Sequence, residues 1–274
     1  MKPAATLNEL QQQIRLEFSG LSKRLQQVAA YVLDNPNDIA LETVATIGQK
    51  AEVPPSTLIR FANAFGFSGF NEMKNLFREK IIEETSNYTD RAKMHKQLHM
   101  DSYSPKSPKS IIQEFANANS KALSSLATHI SEQDLSSAIH ILHNCENIYL
   151  IGLRRSFSVA SYFTYALQHL NKRAFLVDGL GGMLKEQLRM IGPNDAVIAI
   201  SFSPYADETV SLCELASKVG AKQILITDSQ VCPLARFSDI SFVIQEAKVD
   251  AFRSQSASLC LVQSIAVTMA MNIE

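Results

Sequence analysis

Five short apolar runs in the second half of the chain constrain its fold more than any other feature. They are Ile148-Tyr149-Leu150-Ile151, Ala174-Phe175-Leu176-Val177, Ala196-Val197-Ile198-Ala199-Ile200, Gln223-Ile224-Leu225-Ile226-Thr227 and Ile240-Ser241-Phe242-Val243-Ile244. Each is continuous rather than alternating, as in a parallel strand covered on both faces. Amphipathic stretches between them, such as Glu208 to Val219, suit crossover helices. Two helical stretches come first, Ile111 to about Thr128 and another ending near His143. Residues 111–274 are therefore expected to form an α/β domain with a five-stranded, parallel, doubly wound sheet. Ligands in such sheets bind beyond the carboxyl ends of the strands, near the switch in strand order. The residues directly after strand ends are the ones to read for chemistry.

Residues 1–85 contain no strand-like run and should be all-α. Ile14, Phe18, Leu21, Leu25, Val28 and Val32 alternate spacings of four and three, which predicts one face of a single long helix. Asp34-Asn35-Pro36-Asn37 ends it. Two short helical stretches follow, then another from about Phe70 to Glu84. Residues 86–110 change character: Tyr88 to Met100 is polar and basic, and Ser102 to Pro108 is a Ser/Pro run. They read as an interdomain linker, helical at most at its start.

The 274 residues fit two ordinary domains, and with 46% apolar residues a sizeable core is available. The net charge of -1 announces no nucleic acid. Residues 1–85 carry nine Lys/Arg against ten Asp/Glu, so DNA binding would rest on local geometry. Cys145, Cys213, Cys232 and Cys260 form no metal or disulfide pattern, so neither a metal nor a cofactor is expected. No signal-peptide core opens the chain. The apolar stretch Leu259 to Met271 is broken by Gln263 and Ser264 and is too short to span a bilayer. A cytoplasmic protein without a membrane partner is expected.

Thr43 to Phe65 has the proportions of a helix-turn-helix. Thr43 can cap the first helix, and Val44, Ile47 and Ala51 give it an apolar face. Gly48 is small where the second helix must cross. Glu52-Val53-Pro54 makes the turn, and Pro55 suits the first position of the next helix. Leu58, Phe61, Ala62 and Phe65 face inward, which leaves Ser56, Thr57, Arg60 and Asn63 outside. In this motif the second helix enters the major groove of double-stranded DNA. Arg60 can pair with guanine or phosphate, and Ser56 and Thr57 can contact either. Periodicity alone also allows a plain three-helix packing module with a solvated Arg60.

Val53-Pro54-Pro55-Ser56-Thr57-Leu58-Ile59-Arg60-Phe61, followed by Phe65-Gly66-Phe67-Ser68-Gly69-Phe70-Asn71-Glu72-Met73-Lys74, resembles the signature of the RpiR/MurR family of bacterial regulators. The second block is absent from generic helix-turn-helix proteins. Two positions depart from the family pattern. Pro54 stands where the family has a capping Ser, and Glu52 replaces a common turn Gly.

After the first strand comes Gly152-Leu153-Arg154-Arg155-Ser156, and after the third Ser201-Phe202-Ser203-Pro204-Tyr205-Ala206. Each puts hydroxyls and backbone N–H groups at a strand-to-helix turn, where a helix N-terminus favours an anion. Arg154 and Arg155 can fork onto a phosphate or carboxylate. Ordinary N-caps and surface arginines would give the same residues. Gly179-Leu180-Gly181-Gly182 after the second strand is a ligand approach or a plain turn, Glu186 a solvated helix residue, and His169 a structural one. Arg253, Ser254 and Ser256 are placed at the start of the last helix, with Arg253 a weak site candidate.

Residues 111–274 are similar to the SIS (sugar isomerase) domain that the same family carries. The resemblance implies phosphosugar contacts at Ser156, Ser201 and Ser203. Here Arg154 replaces a Gly, Pro204 another Gly, and Ala206 a Thr hydroxyl, so a carboxylate competes with phosphate as the anion. The implied function is a ligand-responsive DNA-binding regulator, a repressor as in most of that family, that senses an anionic sugar derivative and acts as a homodimer or homotetramer. A SIS-type sugar-phosphate isomerase is the alternative. It needs a positioned base, and no His/Glu pair accompanies Ser156 or Ser201, so no catalytic residue is expected. A pure interaction module is the third reading.

Overall fold

The computed structural model describes residues 3–4, 6–84, 87–98 and 106–271. The chain forms two compact units, residues 1–105 and 106–274.

The first unit is helical: α1 (Leu7–Glu17), α2 (Lys23–Asp34), α3 (Pro36–Leu41), α4 (Val44–Lys50), α5 (Pro55–Ala64), α6 (Phe70–Glu84) and α7 (Tyr88–Leu98). Its core gathers Leu10, Ile14, Val28, Val32, Ile39, Ile47, Leu58, Phe61, Phe65, Phe70, Met73 and Phe77. The single long helix expected over Ile14–Val32 is in fact two. A 3-10 turn at Phe18–Gly20 separates them, and Ser22 is extended at φ -63, ψ 154. Ser19-Gly20 is a poor helix former, and Phe18 is 36% exposed. The periodicity misled because Ile14 of α1 and Val28 and Val32 of α2 all pack into the same core. Within residues 86–110, the described parts are α7 and the start of the next helix, where Ser107 Oγ accepts the Ser110 N–H at 3.1 Å. Ser102 to Pro105 lie outside the described residues.

The second unit opens with α8 (Pro108–His129) and α9 (Glu132–Asn144). It continues β1 (Ile148–Ile151), α10 (Phe157–His169), β2 (Ala174–Val177), α11 (Leu184–Gln187), β3 (Ala196–Ile200), α12 (Asp207–Lys218), β4 (Lys222–Thr227) and β5 (Ile240–Val243). A small hairpin, β6 (Lys248–Val249) and β7 (Phe252–Arg253), precedes α13 (Ser256–Met271). The sheet order is β2-β1-β3-β4-β5, and all four pairings are parallel. One face buries Leu150, Ile198, Ile224 and Phe242 with Phe163 of α10 and Leu261 and Ile265 of α13. The other buries Ile151, Val197 and Leu225 with Leu212 and Ala216 of α12. Burial on both faces explains the unbroken apolar runs. The hairpin was not foreseen, because two-residue strands carry no readable period. It also moves Arg253 out of the last helix, which starts only at Ser256.

Candidate functional site

The helix-turn-helix geometry is built from small, specific contacts. Thr43 Oγ1 accepts the Thr46 N–H at 3.1 Å and caps α4. A Cβ on Gly48 would stand 2.9 Å from the Val53 carbonyl oxygen, so the turn closes over a bare backbone. Glu52 sits in the left-handed region at φ 55, as expected where a Gly is common. Gln27 of α2 donates to the Ala51 carbonyl at 3.0 Å and ties the turn down. Pro54 starts α5 without a side-chain cap, while its carbonyl accepts the Thr57 N–H at 2.8 Å.

The structure brings the four residues singled out for DNA onto the one helix α5. Ser56, Arg60 and Asn63 are exposed and Thr57 is half-buried. Ile59 was missed: it is 45% exposed on the same helix, an apolar surface of the kind that reads a thymine methyl. Two other cations of this unit, Lys50 and Lys74, are engaged in structure. Lys50 pairs with Asp38 at 2.9 Å and Glu42 at 3.2 Å. Lys74 is buried and donates to the Glu42 carbonyl; burial, and then Arg78, lower its pKa. The second signature block is thus a fastening. Gly66 turns at φ 84, and Glu72 accepts the Ser68 N–H at 2.6 Å and its hydroxyl at 2.8 Å. Those bonds hold the Glu72 carboxyl below its usual range.

In the second unit, β1 lies between β2 and β3, so the chain turns opposite ways after β1 and after β3. The crevice between those two strand ends is the switch point where ligands bind in such sheets. Gly152, Arg154, Arg155 and Ser156 follow β1, and Ser201 and Ser203 follow β3. A Cβ at Gly152 would lie 2.7 Å from the Ala160 Cβ, so only Gly lets α10 approach β1. Arg154 replaces a family Gly yet keeps a left-handed backbone, φ 56. Ser156 is 8% and Ser201 5% exposed. Among the described residues neither hydroxyl has a hydrogen-bond partner, and neither is sealed from solvent.

Asp228 escaped the sequence reading, and so did the partners of Tyr205 and Arg253. The Asp228 carboxylate, just after β4, accepts the Ser203 N–H at 3.2 and 3.3 Å and the Tyr205 O–H at 2.8 Å. Burial, and then Asp228, push the Tyr205 phenol upward. The Arg253 guanidinium lies 4.3 Å over the Phe202 ring. Asp228 and Arg253 are separated from their partners by long stretches of chain, so no local motif marks them. The Gly179–Gly182 turn has three left-handed glycines and is braced by Gln187 on Asp178 at 2.7 Å. His169 ends α10 with its ring 4.3 Å from that of Tyr165, and Glu186 is exposed. Among the described residues no three His, Cys, Asp or Glu gather as for a metal. No described helix is long and apolar enough to cross a membrane.

A DNA-reading helix-turn-helix unit combined with a doubly wound sugar-isomerase-type unit defines a class of bacterial regulator. Residues 8–84 match the helix-turn-helix domain of the rpiR family, and residues 141–273 match the SIS domain. The chain belongs to the RpiR family of helix-turn-helix transcription regulators with a C-terminal SIS domain. An HTH-type transcriptional regulator of Caldanaerobacter subterraneus subsp. tengcongensis is 23% identical over 94% of this chain and 89% of its own length. The bifunctional protein glk of Burkholderia mallei is 26% identical over 84% of this chain, which spans only 34% of that longer protein. Among solved structures, the Vibrio vulnificus NanR protein complexed with ManNAc-6P has a TM-score of 0.57 at 22% identity, covering 96% of this chain and 91% of that one. The sugar isomerase domain of an RpiR transcription factor from Sphaerobacter thermophilus has a TM-score of 0.55 at 23% identity, covering 58% and 89%.

Proposed function

We propose that this chain is a cytoplasmic, ligand-responsive repressor of genes for sugar or sugar-acid catabolism. Residues 1–85 read a double-stranded operator through Ser56, Thr57, Arg60 and Asn63. Residues 86–110 link them to residues 111–274. That domain binds an anionic sugar derivative through Gly152, Arg154, Arg155, Ser156, Ser201 and Ser203, without metal or cofactor. The observation that carries the ligand half is the pair Ser156 and Ser201, both over nine-tenths buried at the β1–β3 switch point with unpartnered hydroxyls. Buried hydroxyls normally find partners, and a ligand's oxygens would supply them. The phosphosugar bound by the NanR relative supports the ligand class.

Operators with two-fold symmetry are read by dimers, so the working unit is a homodimer or homotetramer. A ligand that binds two dimer arrangements with different affinity shifts the spacing of the recognition helices. The isomerase alternative needs a base poised over substrate. The carboxylate that contacts the β3 loop, Asp228, is instead engaged by Ser203 and Tyr205. The test is thermal stability of the full chain with a panel of sugar phosphates and sugar acids, beside Ser156→Ala and Ser201→Ala variants. A compound that stabilises the parent and fails with both variants supports the reading. Turnover of any compound overturns it in favour of the enzyme.

A further inference from the structure

We propose that residues Glu246 to Ser258, which carry the β6–β7 hairpin, are the relay between the candidate ligand loops and the chain that leads to the DNA-binding unit, with Asp250 and Lys106 as the outgoing contact. This rests on the ligand-responsive reading above and names how that site is read out. The segment is closed on itself. β6 and β7 pair Lys248 with Arg253 and Val249 with Phe252, and the Ser254 N–H donates to the Ala247 carbonyl at 2.8 Å. The Glu246 carboxylate accepts the Ala257 and Ser258 N–H groups at 3.2 and 2.8 Å, which ties the entry of the hairpin to the start of α13. Ala247 and Val249 are buried.

Two residues of the segment meet the ligand loops. The Gln255 amide donates to the Arg155 carbonyl at 2.6 Å, and its oxygen accepts the Ser158 hydroxyl, both where β1 turns into α10. The Arg253 guanidinium lies over Phe202, between Ser201 and Ser203. The segment therefore touches both sides of the β1–β3 crevice. At the hairpin turn, Asp250 stands in the left-handed region at φ 51, which Asp adopts more readily than most residues. Its carboxylate meets Lys106 Nζ at 2.8 Å, across 144 positions of chain. Lys106 also pairs with Glu114 of α8 at 2.6 Å. The second unit begins at Lys106, and residues 99–105 alone separate it from α7. The Lys106 and Asp250 side chains are partly exposed, so the pair adds little stability. Its effect is directional, because a shift of the hairpin reaches the point where the chain leaves the unit. Coupling of this kind runs through bonded elements that both sites bias. By linkage, DNA held by the first unit acts back on the two loops through the same contact.

The experiment is hydrogen–deuterium exchange of the full-length protein with and without promoter DNA flanking its own gene, beside a mobility-shift assay with the panel of sugar phosphates and sugar acids. In the parent, DNA should alter exchange in residues 43–65 and also in residues 152–160 and 201–209. Lys106→Met and Asp250→Asn should keep DNA binding and the change in 43–65 but lose the change at both loops, together with the response of the mobility shift to the panel. Glu114→Gln, which removes a Lys106 pair but leaves the hairpin contact, should keep both, as should Lys106→Arg. If Lys106→Met does not fold, Asp250→Asn carries the same expectation, since Asn also tolerates the left-handed turn. A panel response or a loop change that survives in either uncoupling variant, or one that Glu114→Gln abolishes equally, overturns the relay and leaves the ligand-responsive regulator standing. A parent that binds DNA while its loops ignore it and no compound alters its mobility shift overturns the ligand-responsive reading, and this inference with it.

Discussion

Gly48 and Val53 meet with no room for a side chain: a Cβ on the glycine would fall 2.9 Å from the valine carbonyl oxygen. The contact closes the turn between α4 and α5, and backbone oxygen cannot move aside as a flexible side chain can. Gly48→Ala should cost about 1–3 kcal/mol by overpacking. Denaturant unfolding of the first unit measures it, and an unchanged midpoint would show that the turn is looser than described.

The left-handed Glu52 and Arg154 lead to opposite consequences. Either residue strains the backbone where Gly would not, so Gly at each position should stabilise by about 1 kcal/mol. For Glu52→Gly the gain should come without loss of ligand affinity. Arg154→Gly should trade stability for weaker binding of the anionic ligand, as strained functional positions do. Paired melting and titration of both variants separates the two cases. Equal ligand affinity in Arg154→Gly would remove that arginine from the site.

Arg60 is the basic residue on the open face of α5. Arg60→Ala should weaken operator binding by about 1–3 kcal/mol if it forks onto a guanine. Competition between operator and unrelated DNA then distinguishes its role. Loss restricted to the operator marks base reading, and equal loss on both marks a phosphate contact.

Acid should loosen the first unit through Glu72 and Asp38. Glu72 is held low by Ser68, and Asp38 by Lys50 and then Tyr31. A lowered folded pKa gives stability that is present above the unfolded value and lost as pH falls through the folded one. The melting temperature should therefore decline below about pH 4.5, and Glu72→Gln should flatten that decline. An identical acid limb in the variant would contradict the assignment.

How much of this was legible from the sequence depends on the range of each interaction. The five strands were readable because both faces are buried, as Ile198 on one face and Val197 on the other illustrate. The helix-turn-helix was readable because Thr43, Gly48 and Pro55 act within a few residues of themselves. The break at Phe18–Gly20 was hidden because both helices feed one core. Asp228 and Arg253 reach residues 23 and more positions away, and no periodicity reports such contacts. Glu52 and Arg154 showed in the sequence as departures from a family pattern. Only the backbone shows that both stand in the left-handed region that favours glycine.

The most direct test of the central claim is a mobility-shift assay of the full chain on promoter DNA flanking its own gene, repeated with a panel of sugar phosphates and sugar acids. The account predicts specific retardation that is lost in Arg60→Ala and is changed by at least one such compound, with that change abolished in Ser156→Ala. Specific retardation that no anionic sugar alters would contradict the sensor. The absence of any retardation by folded protein at low salt would contradict the regulator itself.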